Sequence, residues 1–271
     1  GRGFTLHVHD IARGVTQQLN SGSFRSARPV WSPDGSAIMF ETFLEDGVGN
    51  LYLLSADGGT APERLAPSPN QQNASSWSST GAIAFLERNA RGDRDIWVKP
   101  PDGAPEPFAA STEDETDAHF SPDGRWIAYA SGRPLGRDDT QVYVRAYPGG
   151  GPAIQISGAN GFCPAWSPDG RRLYFQTRID DSRLDAMMVV DIESTEPFRA
   201  SRARPLIDEW PARCNSPTRD YDVLPDGAFV APVIDGDRVD LTNAERRLRQ
   251  AVDEVHVVLN FAEELRRRAA N

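Results

Sequence analysis

Val30-Trp31-Ser32-Pro33-Asp34-Gly35 is the stretch from which the rest of the chain can be read. Proline presets φ at the first corner of a tight turn, and aspartate caps the turn locally. Glycine takes the positive φ that closes a hairpin. Apolar residues flank the turn, with Val30 and Trp31 before it and Ala37–Phe40 after it. The stretch therefore predicts two antiparallel strands joined by a short loop.

The same pattern recurs four times. It returns as Ser76-Trp77-Ser78-Ser79-Thr80-Gly81, as His119-Phe120-Ser121-Pro122-Asp123-Gly124 and as Ala165-Trp166-Ser167-Pro168-Asp169-Gly170. A degenerate copy follows at Asp222-Val223-Leu224-Pro225-Asp226-Gly227. The spacings of 46, 43, 46 and 57 residues are close to the roughly 40–50-residue period of propeller blades. A third strand pattern follows each hairpin (Asn50–Leu54, Asp95–Lys99, Gln141–Ala146, Ala186–Asp191). A weaker fourth ends the unit, as at Glu63–Ala66 and Ala153–Ser157. The expected fold is all-β, a β-propeller of four-stranded antiparallel blades. The aromatic position (Trp31, Trp77, Phe120, Trp166) is expected to pack between neighbouring blades.

The units divide one domain, 1–271, into a partial blade at 1–20 and blades at about 28–66, 74–110, 117–157 and 163–207. A last blade at 220–260 and a short C-terminal helix at 261–270 follow. The front reads as the third and fourth strands of a blade, Phe4–Asp10 and Thr16–Leu19, without its first two. Either upstream sequence is missing from a six-bladed ancestor, the favoured reading, or C-terminal strands complete this blade as a clasp. Residues near 236–254 form an insertion of helical character, with Thr242 as N-cap.

Composition narrows the function classes. The formal net charge is −10, and the one dense basic cluster, Arg266-Arg267-Arg268, lies beside Glu263 and Glu264. A nucleic-acid partner is not expected, because such binders need a basic stripe. No run approaches the roughly 18 apolar residues of a membrane span. No Gly-x-Ser-x-Gly elbow, phosphate loop or kinase catalytic loop occurs. No catalytic residue, cofactor or metal is expected. His7 and His9 share a strand face but lack an identifiable third ligand. The acidic runs Glu113-Asp114-Glu115, Asp180-Asp181 and Asp235, Asp237, Asp240 read as solvated loops.

The second half carries a family resemblance. Phe120–Tyr129 (FSPDGRWIAY), Val142–Gly149 (VYVRAYPG), Tyr221-Asp222-Val223 and the ending Val257–Phe261 with Glu263-Glu264-Leu265 are its bearers. With Pro29–Gly35 followed by Asn50-Leu51-Tyr52 and Ala56-Asp57-Gly58, the chain resembles the TolB-type, WD40-like propellers. Within them it is similar to the C-terminal propellers of bacterial membrane-bound serine/threonine kinases and their kinase-free relatives. Blade two departs from the pattern, with Ser79-Thr80 in place of Pro-Asp. The resemblance implies a non-catalytic sensor or scaffold segment outside the cytoplasm, at the periplasm or cell surface. Its partner would be a small molecule, a peptide or an envelope protein. Two alternatives stay open: the substrate-gating propeller of a prolyl-oligopeptidase-type peptidase, and a metal-dependent propeller lyase.

The repeat also aligns positions around the ring. Three residues before the aromatic stand Arg28, Ala74, Asp117 and Cys163, with Asp220 before the degenerate copy. Arg28, Asp117 and Asp220, with Glu115 nearby, form the candidate ligand site at one mouth of the channel. Cys163 and Cys214 enter neighbouring inner strands. A disulfide between them is one open reading and would require the oxidising compartment that the resemblance also implies.

Overall fold

Among the described residues, twenty-two strands account for the regular structure. The structure is a computed structural model that describes residues 5–10, 13–19, 25–43, 47–132, 139–158, 160–178, 185–210, 214, 219, 221–224, 226–230 and 255–259. The expected helix at 261–270 and the helical insertion near 236–254 lie outside the described residues. No helix among the described residues is long and apolar enough to cross a membrane.

The strands fall into four-stranded antiparallel sheets laid out as propeller blades. β3 (Arg25–Trp31), β4 (Ala37–Phe43), β5 (Gly49–Ser55) and β6 (Glu63–Arg64) form one sheet in chain order. β7 (Gln72–Trp77), β8 (Ile83–Arg88), β9 (Arg94–Lys99) and β10 (Glu106–Ala109) form the next. β11 (Asp114–Phe120), β12 (Trp126–Gly132), β13 (Gln141–Ala146) and β14 (Ile154–Gln155) form a third.

The fourth sheet departs from the expected four strands. It contains β15 (Phe162–Trp166), β16 (Arg172–Arg178), β17 (Asp185–Thr195), β18 (Phe198–Ala200) and β19 (Arg204–Trp210). β17 runs for 11 residues, so its outer edge takes two short partners end to end. β18 pairs with Ile192–Thr195, and β19 pairs with Asp185–Val189. The short pair β20 (Asp222–Val223) and β21 (Phe229–Val230) follows.

At the front, β1 (Leu6–Asp10) pairs antiparallel with β2 (Val15–Gln18). On its other side β1 pairs with β22 (Val255–Leu259), in register Leu6↔Val255 to Asp10↔Leu259. This pairing is parallel, unlike every other strand pair of the described residues.

The chain divides into two compact units, Gly1–Ala74 with Ile234–Asn271, and Ser75–Val233. In the first, Leu6, Val8, Leu19, Ile38, Phe40, Tyr52 and Leu54 make one core, with Trp31 packed against it. In the second, cores form between successive sheets. Leu86, Ile96 and Val98 meet Phe120, Ile127 and Tyr129. Ala128, Val142 and Val144 meet Trp166, Leu173, Phe175 and Val190. The repeat aromatics Phe120 and Trp166 therefore pack between neighbouring blades. Trp166 Nε1 also donates to the His119 carbonyl at 3.0 Å.

Three of the hairpin turns, at Ser32, Ser121 and Ser167, are held by their own hydroxyl and carboxylate. Ser32 Oγ donates to Asp34 Oδ1 at 2.6 Å and accepts from the Ala37 amide at 2.9 Å. The Gly35 amide reaches the Ser32 carbonyl at 2.9 Å. Ser121 with Asp123 and Ser167 with Asp169 repeat the arrangement at 2.5 and 2.6 Å. In the variant turn Thr80 Oγ1 takes the aspartate's place, 2.9 Å from Ser78 Oγ. The Ser32 hydroxyl, then the Ser36 amide and hydroxyl, pull the Asp34 carboxyl down to about 2. Ser167 and the Arg171 amide lower Asp169 in the same way.

Two measurements test this device. Gly124 has φ +72°, and a Cβ there would lie 2.5 Å from Ser78 Oγ of the preceding turn. Gly35 has φ +73° with nothing within 4 Å. Gly35→Ala is expected to lose about 1 kcal/mol from the left-handed backbone alone, and Gly124→Ala about 2–4 kcal/mol. Equal urea midpoints for the two variants would remove the turn-to-turn contact from the account. The second test is acidity. A carboxylate with a lower pKa in the fold stabilises it above the unfolded-state value and loses that stabilisation as pH falls toward its folded value. The melting temperature is expected to drop between about pH 5 and about pH 2. An Asp34→Asn, Asp169→Asn double variant should lose less over that window, as followed by circular dichroism.

Candidate functional site

The site positions begin with a backbone feature. Arg28, Asp117 and Cys163 have φ of +51°, +53° and +52°, and they are the three non-glycine residues with positive φ among those described. Each sits where its strand slips register against its partner: between Ala27 and Val30, Thr116 and His119, and Phe162 and Ala165. These are β-bulges. The extra residue turns its side chain out of the pleat, at roughly 1–2 kcal/mol for a left-handed L-residue. Three positions aligned by the sequence repeat thus share one uncommon conformation.

Each of the two units treats its position differently. In the first unit, Arg28 Nη1 forms an ion pair with Glu41 Oε2 from β4. The Glu41 side chain is fully buried, that of Arg28 is 30% exposed, and Asn73 Nδ2 also donates to Glu41 Oε2, at 2.9 Å. Glu41 lies in the apolar run Ala37–Phe43. A charge in the interior of such a strand was the signal that could have singled it out.

In the second unit, Asp117 and Cys163 come together with Cys214. Cys163 and Cys214 are joined as a disulfide, with Cα atoms 6.2 Å apart, inside the usual range. Asp117 Oδ2 lies 3.5 Å from Cys163 Sγ and 4.0 Å from Cys214 Sγ, and all three residues are buried. Tyr221 closes the group by donating its hydroxyl to the Cys163 carbonyl at 2.7 Å. Burial first, then the nearby Asp117 and Asp222 charges, push the Tyr221 phenol well up, against the pull of Arg219. Arg219 in turn donates to the Tyr221 carbonyl at 2.9 Å and to Asp222 Oδ1 at 2.8 Å. His119 stands two residues beyond Asp117. Burial, and secondarily Arg219, hold its imidazole well below the usual range, in its neutral form.

Glu115 is 1% exposed. Its carboxylate accepts from Ser111 Oγ at 2.5 Å and Ser131 Oγ at 3.3 Å, and burial raises its pKa. It ties the segment ahead of β11 to β12. Asp220 lies outside the described residues, as do Asp180, Asp181, Asp235, Asp237 and Asp240. His7 and His9 each contact a threonine, Thr5 at 2.8 Å and Thr16 at 2.9 Å.

A second feature was not singled out by the sequence. A cleft of about 520 Å³ opens beside the Ser167–Gly170 turn. Its walls include Arg171, Arg172, Tyr174, Asp191 and Asp226. The carboxylates have intrachain partners: Asp169 is held by Ser167, Asp191 by Arg172 and Arg204, and Asp226 by the Ala228 amide. Arg171 is exposed, and its charge helps lower the adjacent Asp169 carboxyl, behind the Ser167 hydroxyl and the Arg171 amide.

No protein-family model matches the chain. The fold has clear likenesses among solved structures. A protein described as TolB from Agrobacterium tumefaciens superposes with a TM-score of 0.59 at 19% identity, over 80% of this chain and 78% of that one. TolB from Acinetobacter baumannii gives 0.54 at 19% identity, over 74% and 48%. A puromycin-hydrolysing peptidase of Mycobacterium tuberculosis gives 0.60 at 16% identity, over 80% and 38%. The class they define is the TolB-type β-propeller fold. Among curated proteins, the chain is 23% identical over 163 residues to the uncharacterized peptidase YuxL of Bacillus subtilis. That stretch covers 46% of this chain and spans 25% of that protein.

The Arg28–Glu41 pair gives a direct test. Arg28→Met is expected to destabilise the chain by about 2–4 kcal/mol, because removing one member of a buried pair strands the other. Glu41→Gln in the same background should recover part of the loss, read from urea denaturation of the single and double variants.

Proposed function

We propose that this chain is a non-catalytic binding propeller that engages a carboxylate-bearing ligand or protein segment at the cleft beside β16 and β17. The observation that carries the reading is Arg171, an exposed guanidinium on the wall of a cleft whose carboxylates are already engaged by intrachain partners. A planar guanidinium suits a carboxylate because it donates two parallel hydrogen bonds. Tyr174, whose ring packs on Phe229 in the core, also lines the cleft beside Arg172. The disulfide between Cys163 and Cys214 supports an extracytoplasmic setting, since such bonds persist in oxidising compartments. The motifs at 120–129 and 142–149 support the finer reading, a sensory segment linked to a membrane-bound kinase.

A second reading has its own support. The stretch matched to YuxL, and the likeness to the puromycin-hydrolysing peptidase, favour a propeller that gates a hydrolase active site. A hydrolase domain encoded next to this segment in the same gene would decide for that reading. A kinase domain and membrane helix upstream would decide for the sensor.

The binding reading is tested with a fluorescein-labelled acidic peptide titrated against the purified chain. Saturable binding that weakens with added salt, and falls about tenfold or more in Arg171→Glu, is the expected result. Binding unchanged in Arg171→Glu would remove the cleft from the proposal. Release of nitroaniline from aminoacyl nitroanilides by the chain itself would overturn its non-catalytic character.

A further inference from the structure

The geometry points to a second chemical state of the buried group in the second unit: we propose that, once the Cys163–Cys214 disulfide is reduced, Asp117, Cys163 and Cys214 bind one soft divalent cation of the zinc class. One carboxylate and two sulfurs, all buried, have their donor atoms within 4.8 Å of one another. Zinc takes thiolate sulfur at about 2.3 Å and carboxylate oxygen at about 2.0 Å in a tetrahedron, which sets an oxygen-to-sulfur edge of about 3.5 Å. The separations from Asp117 Oδ2 are 3.5 Å to Cys163 Sγ and 4.0 Å to Cys214 Sγ. The carboxylate therefore already stands where a ligand to such an ion would stand. Reduction has only to let the two sulfurs part to the roughly 3.8 Å edge of the same tetrahedron.

The surroundings hold two of the three donors in place without help from the disulfide. Asp117 and Cys163 lie on inner strands of neighbouring sheets, each fixed at its bulge by backbone pairing on either side. Tyr221 Oη holds the Cys163 carbonyl at 2.7 Å. The Arg219 guanidinium is engaged by the Tyr221 carbonyl and Asp222. Electrostatics favours the ion. Two thiolates beside a buried carboxylate would place three like charges together, and a divalent cation removes most of that repulsion. In the oxidised chain the sulfurs carry no charge, so the disulfide and the metal complex are two alternative ways of making one buried group compatible with its surroundings. Three protein ligands leave a fourth position to water or a small ligand, the pattern of open rather than closed zinc sites. The notion is independent of the cleft at Arg171.

The chemistry balances with a phosphine as reductant. The sulfur–sulfur bond breaks, phosphorus is oxidised to the phosphine oxide with the oxygen of one water, and that water's two protons go to the two sulfurs. Binding of the cation then displaces those protons to solvent.

The test uses the full chain, oxidised and phosphine-reduced, under argon. Each form is mixed with zinc sulfate, freed of excess metal and analysed for zinc. A parallel sample receives cobalt(II), whose sulfur-to-metal absorption reports thiolate ligation. About one zinc per reduced chain and almost none per oxidised chain is expected, with the cobalt band present only after reduction. Asp117→Asn should weaken zinc binding about tenfold or more while leaving the thiol count unchanged, and Cys163→Ser should abolish it. Zinc should also raise the melting temperature of the reduced wild-type chain, a readout that needs no variant to fold. A reduced, folded chain that holds no more zinc than the oxidised one would overturn the proposal. So would a disulfide that phosphine cannot open while circular dichroism remains native.

Discussion

The bond from a serine hydroxyl to an aspartate carboxylate two residues on is the constraint from which the blades follow. In the turns at Ser32, Ser121 and Ser167 that hydroxyl also accepts the amide five residues ahead. One side chain thereby closes the turn and starts the next strand at a fixed register. Register decides which residues face the core, because a slip of one residue exchanges the two faces. With the turns fixed, both faces of the second strands are buried, and register decides which core each side chain enters: Ile127 and Tyr129 meet Leu86 and Phe120, whereas Ala128 meets Trp166 and Phe175. The turn at Ser78 shows how little the device needs: a threonine hydroxyl replaces the carboxylate, and the strands on either side still pair.

The repeat was legible because its information is local. Proline, aspartate and glycine act within four residues, and strand alternation acts within six. The alignment of Arg28, Asp117 and Cys163 was legible for the same reason, and it surfaced as a shared left-handed backbone. Their partners were not legible. Glu41, the counter-charge of Arg28, is carried by the neighbouring strand, and its pairing depends on a bulge that has no residue signature. Glu115 resembled its acidic neighbours in sequence, yet it is buried among serine hydroxyls contributed from positions 111 and 131.

Pairings between distant segments were the hardest to anticipate. The parallel match of Leu6–Asp10 with Val255–Leu259 joins positions about 250 residues apart; a C-terminal clasp was one of two readings of the front half-blade, with no turn chemistry to choose it. The split edge of β17 was hidden by the opposite problem. The sequence pattern placed the third strand at Ala186–Asp191, whereas the strand reaches Thr195, turns back through β18 and yields its remaining edge to β19. The cleft at Arg171 escaped notice because it is assembled from two hairpin turns separated by more than fifty positions.

The inner strand of the second sheet carries a further consequence. Ser75 Oγ donates to the Ala118 carbonyl at 2.7 Å, the Phe120 amide donates to Ser76 Oγ at 3.1 Å, and Ser79 Oγ reaches the Pro122 carbonyl at 2.9 Å. Apolar faces of similar repeats are nearly interchangeable, so a chain of look-alike units risks docking the wrong neighbours during folding. Hydroxyls that fit the backbone of one particular neighbour act as an address label. They leave the greasy contacts to supply adhesion, while the serines say which sheet belongs beside which.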